Sequence, residues 1–354
     1  MRNGFNISSS SEFVDEIRRD AQEAQFHYHA GARFKPGRGL RGWTDPAILG
    51  RIKSARRFEL DLADGWQDGT GSTEADEYTP LDLALAAVGV CSLKTAIVGG
   101  SSRGINFDTI DMDVSASFLE REKGFLPTAR VRQVTYDIRT ESDADPGLIG
   151  EVTQQVLDRS PNHRTVKDPT ELHFRSGTRS LPWQAAEEQN GAAPDGAAAE
   201  ATLSREVKWI SGTQFESTGA QGCRAPLRVD EAKQFAGVDW APNPQEYIVI
   251  ALASELASLS ARRQQVVTGS AGVWTVRAHG LLDLRGLMLV GSASSVGFRN
   301  ITCTVEGPSE LSSAEIEEYF RAAVAESALV ELFRLPHQVE VRLTHNGAAG
   351  LLRQ

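Results

Sequence analysis

The chain has 354 residues, of which 40% are hydrophobic and 24% charged, with a formal net charge of -10 and a pI near 5.3. That length suits about two domains, each able to bury a core without disulfides or metal. The acidic balance and the lack of a basic stripe argue against a nucleic-acid partner, because affinity for phosphate backbones rests on Lys and Arg.

The first eleven residues are polar and Ser-rich, without the basic start and apolar run of a signal peptide. No later segment reads as long enough to span a bilayer, so a cytoplasmic protein with no membrane partner is expected. Gln25 to Phe34 and Arg57 to Leu62 alternate like strands. His27 and His29 share one face of the first, but no third and fourth ligand stands at a compatible spacing, and no metal site is expected. Tyr78-Thr79-Pro80-Leu81-Asp82 then opens a long apolar helix to about Gly99, with Thr79 and Asp82 spaced for N-terminal capping. Strands follow at Thr109 to Phe118 and Arg130 to Arg139. Asp145-Pro146 starts a second helix reaching about Arg159, and Leu172 to Arg175 closes the unit as a strand. The order is ββ-α-ββ-α-β.

Residues 178–204 crowd Ala, Gly, Glu and Pro together and read as a flexible linker between domains at 1–177 and 205–354. Beyond it come strands at Glu206 to Phe215 and Leu227 to Asp230, then an apolar helix from Asn243-Pro244-Gln245-Glu246 to about Gln264. Strands at Gly272 to Arg277, Met288 to Gly291 and Arg299 to Val305 precede a helix capped by Ser312 and Glu315, and a strand at Gln338 to Leu343. The same order recurs. Gly31-Ala32-Arg33-Phe34 matches Gly212-Thr213-Gln214-Phe215, and Thr79-Pro80-Leu81-Asp82 matches Asn243-Pro244-Gln245-Glu246. In that register Cys91 stands 91 - 80 = 11 positions after Pro80, and Glu255 stands 255 - 244 = 11 after Pro244.

Cys91, Cys223 and Cys303 lack the paired spacings of a disulfide framework or a zinc knuckle. Free cysteine in an Ala/Leu helix is more often packing than chemistry, and Cys303, on an alternating strand, reads as core. Glu255, flanked by apolar residues, needs a partner or a raised pKa. It is then either an acid/base group or one member of a structural pair.

The run Pro80-Leu81-Asp82-Leu83-Ala84-Leu85-Ala86-Ala87-Val88-Gly89-Val90-Cys91, with Arg103-Gly104-Ile105 beyond it and Ser160-Pro161-Asn162-His163-Arg164-Thr165 after the second helix, resembles the OsmC/Ohr superfamily. The resemblance covers nearly all of both halves. It implies an α+β fold of two OsmC-like units, with antiparallel sheets wrapped around paired central helices as an intramolecular pseudo-dimer, or a homodimer that swaps halves. It also implies cytosolic, thiol-dependent reduction of organic hydroperoxides. Cys91 takes the peroxidatic position, Arg33 that of the arginine holding the thiolate, Asp82 lies near the acidic position, and His163 falls near the thiol. Ser160 stands where a resolving cysteine is common, and Cys223 is an alternative resolving thiol. Lys94, one turn along the helix, is a second cation able to lower the thiol pKa. If the hairpin arginine acts across the pair, Arg33 meets Glu255 and Cys91 faces Gln214; if it acts within a copy, Cys91 and Arg33 share a site. No cofactor is implied, but without a resolving thiol the sulfenic acid requires an external dithiol, from a small molecule or a reductant protein. Two rival readings keep the fold. One is an enzyme of a specialised biosynthetic pathway that uses Cys91 as nucleophile or Glu255 as acid/base without peroxide; the other is a non-enzymatic small-molecule binding module.

Overall fold

The computed structural model describes residues 2–63, 78–119, 130–182, 200–219, 226–291 and 296–353. Cys223 and most of the expected linker lie outside them. The first half runs α1 (Ile7–Arg19), β1 (Gln25–Lys35), β2 (Gly39–Leu49), β3 (Ile52–Lys53), β4 (Glu59–Leu62), α2 (Pro80–Ser102), β5 (Phe107–Leu119), β6 (Arg130–Ser142), α3 (Pro146–Arg159), α4 (Pro161–Lys167), β7 (Glu171–Ser176) and β8 (Arg179–Leu181). The second half runs β9 (Glu200–Ser211), β10 (Gln214–Gly219), β11 (Leu227–Val229), α5 (Pro244–Thr268), β12 (Trp274–Asp283), α6 (Arg285–Met288), β13 (Phe298–Glu306), α7 (Ser313–Glu326), α8 (Ala328–Arg334), β14 (Val339–His345) and β15 (Ala348–Arg353).

Two mixed sheets enclose the core, and each is assembled from both halves. One has the order β3-β2-β1-β12-β13-β7-β8, with β4 also on β2; the other is β11-β10-β9-β5-β6-β14-β15. The β1–β2 hairpin of the first half therefore extends β12 of the second, with Ala30 opposite Ala278. Reciprocally, β9 lies antiparallel to β5, with Arg205 opposite Val114. The closing strands are exchanged too, as β7 runs parallel to β13 and β14 parallel to β6.

Between the sheets lie α2 and α5, packed on each other; α2 faces β5 and β9, while α5 faces β1 and β12. Both start the same way, with proline at the first helical position and a reciprocal capping box, Thr79 with Asp82 and Asn243 with Glu246. Contrary to the sequence expectation, α2 is long and apolar enough to cross a membrane, but here it is the buried central helix of a packed core. Gly89 lets it approach the seven-stranded sheet, since a Cβ there would lie 2.8 Å from Val207 and 2.9 Å from Val114.

Several expected elements differ. The Ser-rich start forms α1, capped by Asn6; Phe13 packs against Phe26 and Phe235 with ring centroids 6.3 and 5.3 Å away. The strand expected over Glu206 to Phe215 is a hairpin that turns at Gly212, whose φ is +54°. The match of Gly31 to Phe34 with Gly212 to Phe215 therefore fails, because the former is strand interior and the latter a turn. Met288 to Gly291 is not a strand: α6 ends there through Leu289 at φ 59° and Gly291 at φ 77°. Strands β8 and β9 also claim both ends of the expected linker, where β9 gains the partner β5.

Gly89→Val is expected to destabilise the protein by about 2–3 kcal/mol, because it drives a branched side chain into strands from both halves. A urea unfolding midpoint unchanged from wild type would contradict this packing.

Candidate functional site

Cys91 lies three turns into α2 with no exposed surface. Its sulfur is met from the second half by Gln245, in the first turn of α5, whose Nε2 donates across 3.3 Å. A third element closes the junction. Ser160 ends α3 and begins α4, and Pro161 prevents the two from fusing into one helix, so the start of α4 turns toward α2. Asn162, fully buried there, donates from Nδ2 to Ala87 O on α2 and to Pro244 O on α5, at 3.0 Å each. Its Oδ1 accepts from Gln245 Nε2 at 3.4 Å. Ser160 Oγ lies 3.5 Å from Ser92 Oγ, and Tyr136 OH lies 3.0 Å from His163 Nδ1.

Burial pushes the Cys91 thiol pKa up, while the charge of Lys94, the Ser160 hydroxyl and the Asn162 backbone N–H pull it back. Lys94 pairs with Glu231. Burial works to lower the lysine pKa, but Glu231 and Cys91 outweigh it and leave it raised, so the ammonium stays charged. His163 is held neutral, its pKa lowered to about 3 by burial and by Lys167 and Arg164. It is therefore unable to serve as a charged proton donor at neutral pH.

Glu255 occupies the corresponding place on α5, and its surroundings parallel those of Cys91. Ser327 joins α7 to α8 as Ser160 joins α3 to α4, and the Glu255 carboxylate accepts from the Ser327 hydroxyl and from Leu329 N, the latter at 3.0 Å. The carboxylate caps α8, which compensates part of its burial. Burial still raises its pKa to about 7, against the hydrogen bonds from Ser327, Leu329 and Ala328.

The start of each central helix is tied to an arginine from the other half. Arg205 on β9 is buried and reaches Asp82 Oδ1 at 3.4 Å, while its NH2 donates to Ser217 O at 2.9 Å. Arg56, between β3 and β4, meets Glu246 at 3.0 Å and also donates to Asp230 O at 3.2 Å. Asp82 thus caps its helix as expected and gains a partner that spacing alone did not reveal.

Other expectations are corrected. Arg33 is exposed, donating to Thr275 Oγ1 at 3.1 Å, and it meets neither Cys91 nor Glu255. Strand alternation is the reason, because Ala32 and Phe34 take the inward positions of β1. Gln214 sits beside the β9–β10 turn opposite Ser211 and supplies no hydrogen bond to Cys91; Gln245 does. Cys303 is buried in the eight-stranded sheet, where burial pushes its thiol to about 12. The position of Arg205 was detectable, since it is in phase with the buried Val207 on β9. Gln245 and Glu231 carried no such signal, because they meet Cys91 and Lys94 only across the two halves, as Arg56 meets Glu246; Asn162 lies in the same half as Cys91 and reaches α2 through the turn at Pro161.

Residues 71–175 match the family model described as OsmC-like protein. This stretch of the chain is an OsmC-like domain. It contains Cys91, Ser160, Asn162 and His163. Among solved structures, the OsmC-like protein from Mycoplasma pneumoniae is similar at 18% identity, covering 40% of this chain and 87% of its own, with a TM-score of 0.30. No curated protein matches the chain.

A carboxyl whose pKa is higher in the folded state binds more protons there than in the unfolded chain. Stability is therefore greatest below about pH 4.5 for this group and falls as pH rises toward 7. Glu255→Gln is expected to remove about 1–3 kcal/mol of that fall between pH 5 and 8. Urea unfolding at several pH values tests this; an unchanged slope would show that Glu255 is not the titrating group.

Proposed function

We propose that the chain is a single-polypeptide counterpart of an entwined OsmC-type pair, retaining one thiol site, and that Cys91 reduces organic hydroperoxides. The observation that supports this best is the convergence of Gln245 Nε2, the Ser160 hydroxyl and the Asn162 backbone N–H on one sulfur in an OsmC-like domain. Three donors around a thiol favour its charged form, and Lys94 adds a positive charge one turn away.

In this reading the Cys91 thiolate attacks one oxygen of ROOH. The O–O bond breaks with its electron pair leaving on the alkoxide, which takes a proton from the Lys94 ammonium, giving ROH and Cys91 sulfenic acid. An external dithiol then returns the enzyme: one thiol displaces water to form a mixed disulfide, and the second releases Cys91 as the dithiol becomes a disulfide. Ser160 has no redox chemistry, and the other described cysteine, Cys303, belongs to the opposite sheet. The apolar helices around the thiol favour alkyl peroxides over hydrogen peroxide. The protein would work in the cytoplasm on a small molecule, needing no cofactor, nucleic acid or membrane.

Wild type is expected to consume cumene hydroperoxide in the presence of dihydrolipoamide, and Cys91→Ser to lose that activity. Because burial raises the thiol pKa, the rate should keep climbing with pH past 9. No consumption, with Cys91 still a thiol by mass spectrometry, would overturn the reading and favour a peroxide-independent role.

A further inference from the structure

Four fully buried polar side chains lead away from the Cys91 sulfur: Ser160, Ser92, Tyr136 and His163. The Ser160 hydroxyl meets the sulfur, Ser160 Oγ stands 3.5 Å from Ser92 Oγ, and Ser92 in turn bonds Tyr136. Tyr136 OH lies 3.0 Å from His163 Nδ1, and at the far end His163 Nε2 has no partner among the described residues. The fold itself does not require this line. In the second half Leu256 follows Glu255 as Ser92 follows Cys91, and Val330 stands three residues beyond Ser327 as His163 stands three beyond Ser160. Cys303 takes the place of Tyr136, since it pairs with Phe174 of β7 as Tyr136 pairs with Val341 of β14. All three counterparts are buried, and none carries a strong hydrogen-bonding group. Burying hydroxyl and imidazole groups costs free energy that apolar side chains avoid, so the polar line belongs to the thiol and not to the packing. The joint serines differ as well: the Ser327 hydroxyl caps α8, whereas that of Ser160 makes no cap bond to α4 and is left for the line.

We propose that Ser92, Tyr136 and His163 are positioning residues that turn the Ser160 hydroxyl onto the Cys91 thiolate. A hydroxyl has one proton to give, so the whole line must donate in one direction. Burial keeps the imidazole neutral, with a single proton on its ring. With that proton on Nδ1, His163 donates to Tyr136, Tyr136 to Ser92, Ser92 to Ser160, and Ser160 to the sulfur. Nε2 is then a bare acceptor, and it is the ring atom left without a partner. Hydrogen bonds to the charged form of a group favour that form, and bonds aligned in a chain polarise one another. The charges that face the sulfur are Lys94, from its own helix, and Glu231, from the segment after β11; Gln245 on α5 and Asn162 on α4 are neutral donors. Arg164 and Lys167, on α4, are the charges that face His163.

The inference rests on Cys91 as the reactive group of the proposed function but not on its substrate, so it is read without peroxide. The carbon-13 shift of the Cys91 Cβ, followed against pH in the whole chain, should show the thiol titrating about one pH unit later in Tyr136→Phe and in Ser92→Ala than in wild type, with unchanged circular dichroism. Ser92→Ala suits the Ala-rich α2 and keeps the test open where Tyr136→Phe does not fold. Nitrogen-15 shifts of wild type, at a pH where Cys91 is ionised, should place the His163 proton on Nδ1, a reading that needs no substitution. A titration unmoved in the folded variants, or a proton on Nε2, would overturn the proposal even if peroxide is consumed. The expected shifts without any peroxide consumption would support it and sink only the proposed activity.

Discussion

A helix without a polar face must be enclosed on every side, and this chain contains two. Burial of α2 and α5 is nearly continuous along their length, so each needs a sheet on one side and the other helix on its opposite side. Neither half supplies enough strands near its own helix. Exchanging hairpins and closing strands solves the problem for both at once, and it brings residues far apart in sequence to one sulfur. The Cys91 site is a product of enclosing those helices: Gln245 and Asn162 reach the thiol because α5 and the start of α4 must pack on α2.

The twofold likeness of the halves stops at the centre. Cys91 and Glu255 occupy matching helical positions beside matching helix joints, Ser160 and Ser327. A carboxylate there satisfies the free N–H groups of α8 and becomes part of the scaffold. A thiol caps far more weakly, so the corresponding place on α2 is completed by donors brought from elsewhere. The same joint thus receives a capping carboxylate in one half and sits beside a thiol met by donors from other elements in the other.

The strand and helix order was largely legible, because apolar periodicity and the capping boxes at Thr79 and Asn243 are local signals. The matching places of Cys91 and Glu255 on the two central helices also followed from counting along them. Two kinds of feature were hidden. Turns that depend on positive φ, at Gly212 and Leu289, were absorbed into expected strands, and α1 was masked by its serines. More important, Arg33 was chosen by local resemblance although strand parity sends it to solvent, whereas Arg205 and Arg56 perform the pairing near the helix starts. Contacts between the halves leave no mark on either half alone.

The order in which this fold is synthesised follows from the pairing of β1 with β12. Phe34 emerges early but its partner, Trp274, only after most of the polypeptide. At about 5–20 residues per second, the first hairpin waits many seconds with one edge unpaired, next to an apolar α2 that nothing yet covers. The nascent first half is thus exposed to edge-to-edge association with other chains until β12 arrives, and its safe maturation is governed by translation rate and chaperone supply as much as by the stability of the finished molecule.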